Sequence, residues 1–138
     1  MKYSIEDRLK AADILEKALE KFGPNGDKWI QQATSNHHGS YCAIGAINMT
    51  ASGKPSVIPD SDLIDPDYKG TEWVREYDPL YARRVRRTSL PHRIAIASLA
   101  RAFGKEITEY NDDYNRTFEE IQKGFRLAIK RLKGAITK

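Results

Sequence analysis

The feature that most constrains this chain lies near its C-terminal end. Thr117 is followed three residues later by Glu120, the pattern of a capping box, in which each side chain bonds the other residue's backbone N–H at a helix start. Behind it, Phe118, Ile121, Phe125, Ala128 and Leu132 step by three, four, three and four, which lines up one apolar face of an α-helix. Lys123, Arg126, Lys130, Arg131 and Lys133 fill much of the remaining surface and sit towards the negative end of the helix dipole. A helix this amphipathic needs a core to lie against, so the rest of the chain must supply apolar faces of matching period.

Ser4 is placed to cap a first helix running to about Phe22, with Ile5, Leu9, Ala12, Leu15, Ala18, Leu19 and Phe22 at helical spacing on its inner face. Gly23-Pro24-Asn25-Gly26 stops it. From Tyr41 to about Ala51 the residues are small and apolar nearly all round, as in a helix buried among others, and Gly45 and Ala46 let a neighbouring backbone come close. A buried strand is the competing reading for so short a run. Ser89 and Pro91 open a further helix, with Leu90, Ile94, Ala97 and Leu99 facing inward and Gly104 ending it. Between them, Gly53 to Asp78 carries Pro55, Pro59, Pro66, Gly70 and the acids Asp60, Asp62, Asp65 and Asp67, and reads as a long irregular excursion; Pro79 then starts a helix to Arg87. The expectation is a mainly α fold, a compact single-domain helical bundle over residues 1–138 with an irregular excursion over 53–78. The Cys42 helix is expected at its centre, packed by the N-terminal helix, the Leu90 to Phe103 helix and the C-terminal helix.

A chain of 138 residues suits one domain and can bury a core without metal or disulfide staples. Its single cysteine cannot form an internal disulfide, and it contains neither an apolar signal core nor a stretch long enough to span a membrane. A reducing cytoplasm is the expected setting. The net charge of +4 permits an acidic partner without demanding one.

Three groups of residues invite a chemical reading. Cys42, His92 and Asn111 or Asp112 follow the chain order of papain-like hydrolases, and a thiol at a helix start can be activated. Against this, Cys42 is followed by Ala43-Ile44-Gly45-Ala46-Ile47, a core sequence, and a packed, inert cysteine is the expectation. His37 and His38 near Cys42 lack the ligand patterns of a zinc site, and no cofactor is expected. Asn111, Asp112, Asp113, Asn115 and Arg116 form the densest polar cluster; they read as a structural turn leading to the Thr117 cap, with ligand binding through Asn111, Asp112 and Arg116 as the alternative. Arg83, Arg84, Arg86 and Arg87, with Tyr77 and Tyr81 close by, form a candidate phosphate-binding stripe for nucleic acid.

Trp29 with Gln31-Gln32, Cys42-x-x-Gly45-Ala46, and the aromatic-Asn-Asp segment at Tyr110-Asn111-Asp112 leading to Arg116-Thr117-x-x-Glu120 together resemble an uncharacterised family of small bacterial and phage proteins, a domain of unknown function. Tyr110 stands where that family usually has Trp. The resemblance implies a small, mainly helical domain of bacterial or phage origin and supplies no activity. The expected function is a small non-enzymatic binding or regulatory module, phage-encoded, acting on a host or phage macromolecule. A small hydrolase or transferase built on Cys42, His92 and Asn111 or Asp112 is the alternative, and nucleic-acid binding through the arginine run a further one.

Overall fold

The computed structural model describes residues 3–55 and 88–134, which contain five helices. Helix α1 spans Ile5–Glu20, α2 Ala43–Ser52, α3 Leu90–Phe103, α4 Ile107–Asn111 and α5 Phe118–Gly134. β-structure among these residues is limited to two isolated bridges, Trp29 with Tyr41 and Ser35 with Tyr41. The run after Tyr41 is therefore a helix and not the competing strand. No helix among them is long and apolar enough to cross a membrane. Most of the 53–78 excursion, the helix expected from Pro79, and Arg83, Arg84, Arg86 and Arg87 lie outside the described residues.

The helix ends follow their local chemistry. Ser4 Oγ accepts from the N–H of Asp7 at 3.1 Å, and Ser89 Oγ from that of His92 at 3.2 Å with Pro91 in the first turn. Such caps satisfy N–H groups that no helical carbonyl can reach. Gly104 closes α3 at φ 79°, a left-handed conformation that costs other residues energy. In the predicted capping box at α5, the Thr117 N–H donates to Glu120 Oε1 at 3.0 Å and the Glu120 N–H to Thr117 Oγ1 at 3.3 Å.

Helix α1 is the hub: it packs on α2, α3 and α5, while α3 also packs on α5 and α2 touches α1, α3 and α4. The expectation that the Cys42 helix lies at the centre is thus corrected. The reason is in the side chains of α1. Its buried face is Arg8, Ala11, Ala12, Leu15 and Ala18, where three alanines let neighbouring helices approach, while Ile5 and Leu9, expected inside, are exposed. The α5 face is close to the one expected: Ile121, Phe125, Ala128 and Leu132 are buried, with Gly124 beside the Phe103 ring, where a Cβ would collide with it. Phe22 meets Phe118 and Phe125 edge-on, with centroids 5.8 and 5.7 Å apart, which closes the core at the end of α1.

Candidate functional site

Asn111, at the last turn of α4, is fully buried and its side-chain amide is saturated. Oδ1 accepts from the Trp29 indole N–H at 2.7 Å and from the Ala43 backbone N–H at 2.9 Å. Nδ2 donates to the Ile30 carbonyl at 3.1 Å and to Asp112 Oδ1 at 3.0 Å. One side chain thus ties the loop after α1 to the start of α2 and both to the end of α4. The backbone continues the seam: Gln31 Nε2 donates to the carbonyls of Asn111 at 2.9 Å and Asp113 at 2.8 Å, and the Gln32 N–H donates to Asp112 Oδ1 at 2.9 Å. Gln32 sits at φ 69° without being glycine, a conformation that needs outside support; the Asp112 carboxylate supplies it.

Cys42 is buried and forms the N-cap of α2, its Sγ accepting from the Gly45 N–H at 3.4 Å. Burial raises the pKa of the thiol, the N–H groups of Gly45 and Ile44 oppose that, and the charge of Asp112 adds to it, for a net rise. A thiol of this kind stays protonated at neutral pH. The loop residue Thr34 packs on the same turn, its carbonyl accepting from the Cys42 N–H at 3.4 Å and lying where a Cβ on Gly45 would be. That is the close backbone approach expected at Gly45.

His92 stands apart. Its Nε2 bonds Asn48 Oδ1 at 2.8 Å, six residues along α2 from Cys42 and so about 9 Å further up the helix axis. Asn48 in turn donates through Nδ2 to the Pro55 carbonyl at 3.1 Å. With Oδ1 facing the imidazole, Nε2 carries the proton and donates. Burial, with the nearby Arg93 charge, lowers the His92 pKa to about 4, so the ring is neutral under ordinary conditions. The structure therefore brings Asn111 and Asp112 to the Cys42 helix and leaves His92 bonded to Asn48, with no thiol–imidazole pair.

Arg116 is layered on this junction. Its guanidinium lies 3.4 Å from the centroid of the Tyr110 ring, which stacks on Phe103 at 3.9 Å. Nε donates to the Tyr110 carbonyl at 2.8 Å, and the two terminal nitrogens reach Glu120 at 2.9 Å and Asp113 at 3.5 Å. The Thr117 N–H and hydroxyl together with Arg116 lower the Glu120 pKa. Asp113 and Glu120 are the carboxylates Arg116 meets, while Asn111 bonds the backbone of Ala43 and Ile30 and Asp112 is turned towards the Gln32 N–H. Trp29, Gln31, Gln32 and Asn48 complete these contacts without having been singled out as site residues. Only the Trp29 and Gln31-Gln32 spacing pointed towards them.

The outer rim of the joined loops is open. Gln32, His37, His38, Asp113, Tyr114 and Asn115 are exposed, Tyr114 at 93%. His37 and His38 lie against each other with ring centroids 4.0 Å apart. No group of three or more His, Cys, Asp or Glu side chains arranged to hold a metal occurs among the described residues.

No curated protein and no solved structure matches the chain significantly. A family model described as a family of unknown function, DUF6197, matches residues 6–131, a span that takes in the Cys42 helix, the Asn111 junction and most of α5. With nearly its whole length covered, the chain belongs to the DUF6197 family of unknown function.

Proposed function

We propose that this protein is a small non-enzymatic binding or regulatory module, of bacterial or phage origin, which acts on a host or phage macromolecule through the rim of its two joined loops. The observation that carries the reading is Tyr114. It is 93% exposed, yet the loop that holds it is pinned: Asp113 accepts from the Asn115 N–H at 3.0 Å, from Gln31 at 2.8 Å and from Arg116 at 3.5 Å. A fixed, exposed tyrosine loses little conformational freedom on docking, which is why tyrosine serves so often as an interface anchor. The groups a cysteine hydrolase needs support this reading from the other side, because Cys42 caps α2, His92 is bonded to Asn48 and Asn111 has no free valence. The bacterial or phage origin rests on the resemblance of the Cys42, Asn111 and Arg116 motifs alone.

Photo-crosslinking in cells tests the proposal. A benzophenone side chain at position 114 is expected to give one discrete adduct, competed away by excess wild-type protein. The same probe at the exposed Asp13 of α1 is expected to give none. No adduct at 114, or the same adducts at both positions, would overturn the rim as the binding face.

A further inference from the structure

The outward face of α5 carries a second surface that the loop rim does not explain. Lys123, Arg126, Lys130 and Arg131 are all exposed, and spacings of three, four and one keep them on one side of the helix around the half-exposed Leu127. Among the described residues none of the four forms an ion pair, whereas Lys10, Lys17, Lys105, Arg116 and Lys133 each meet a carboxylate. The formal net charge of the chain is +4, so without these four side chains its acids and bases would balance. The helix dipole accounts for Arg131 near the C-terminal end. It has no hold on Lys123 and Arg126, which lie more than a turn from that end. The acids of α5, Glu119 and Glu120, stand in its first turn, with Glu120 engaged by Arg116 and Thr117; Glu16 and Glu20 of α1 border Arg126 across a shallow groove, with Glu16 bonded to Lys133.

We propose that this face binds the phosphate backbone of double-stranded nucleic acid. From Lys123 to Arg131 the helix rises about 12 Å, and one strand of a duplex presents a phosphate about every 3.4 Å of its axis, so four cations have about four phosphates within reach. Membrane phosphates offer the same charge, but a surface-seeking helix must insert an apolar face, and the apolar face of α5 is buried in the core. Contacts of this kind read charge and spacing, so the binding is independent of base sequence. The inference does not rest on the loop rim, and either can fail without the other.

Fluorescence anisotropy with a labelled random-sequence 20-base-pair DNA tests it. Binding is expected with a slope of log affinity against log salt of about −3.6, so affinity falls about a hundredfold between 50 and 200 mM salt. The K123Q/R126Q/K130Q/R131Q variant should stay folded, since all four side chains are exposed, and lose the binding. Glu119→Gln should tighten it. A variant replacing Arg83, Arg84, Arg86 and Arg87 by Gln should still bind. The proposal is overturned by absence of binding at 50 mM salt, by full binding in the folded α5 variant, or by binding to phosphatidylserine vesicles without binding to DNA.

Discussion

Two buried asparagines, one at the start of α2 and one further along it, differ in what they hold. At the start, Asn111 reaches in from α4 and joins an indole N–H, a helix N–H and a carbonyl, with the Asp112 carboxylate as its fourth partner. Near the other end, Asn48 of α2 itself holds His92, a group that gains charge in acid. The first arrangement gives a junction that holds no imidazole, and it fixes two loops that run over the surface. The second gives a contact that folding keeps neutral and that acid opposes. The rigid, loop-bearing end is the one that displays Tyr114.

Asn111→Ala should produce the largest effect. It would leave the buried Ala43 N–H and the partly buried Trp29 N–H and Ile30 carbonyl without this partner, at a cost of about 4 kcal/mol or more. Asn48→Ala removes the partner of the His92 Nε2–H and of the Pro55 carbonyl and should cost about 2 kcal/mol. Chemical denaturation of the two variants side by side checks the order, and a reversal would break the comparison.

Acid should distinguish the ends next. Above pH 6.5 His92 is neutral in both folded and unfolded chains and adds no pH dependence. Between 6.5 and about 4 the unfolded chain takes up the proton and the folded one resists it, so stability falls as the pH falls. Below about 4 both forms are protonated and this loss levels off. The span corresponds to about 3 kcal/mol. Unfolding curves from pH 7 to 4 should show the decline, His92→Gln should flatten it, and Asn111→Ala should leave its slope unchanged.

Gly45→Ala sharpens the picture of the α2 start. Alanine improves helix propensity by about 1 kcal/mol, but its Cβ would overlap the Thr34 carbonyl, so a net loss of about 2 kcal/mol is expected in thermal denaturation. A stabilised variant would mean that the loop moves aside freely. Smallest of the mutational effects, Thr117→Ala removes the α5 cap at the edge of the junction and should cost about 1 kcal/mol in the same assay.

Local patterns made the helices legible. Ser4, Ser89 and the Thr117–Glu120 box marked three starts, Gly104 marked an end, and the α5 stripe was read nearly residue for residue, because each signal acts within a turn or two of chain. The five-residue α4 escaped, being too short to show a period. The face of α1 was misread at Ile5 and Leu9, because alanines bring partner helices close on one side and the apolar residues at its first turns are left outside. The junction was visible as a polar cluster, but its partners were not. The bonds from Asn111 to Trp29 and Ala43 cross 82 and 68 residues, and no local spacing encodes which distant groups an amide will meet. His92 and Asn48 were hidden for the same reason, 44 residues apart on two helices.

Cys42 and Asn111 are both buried, and each bonds the first turn of α2. Cys42 is the chain's single cysteine, so thiol labelling with a chromogenic disulfide reports on the junction alone. In native protein near pH 7.5 the reaction should be slow and should accelerate with denaturant in step with global unfolding. In Asn111→Ala it should be faster at every denaturant concentration. Rapid labelling of the native wild-type protein, independent of denaturant, would contradict the account and make Cys42 an open, reactive thiol.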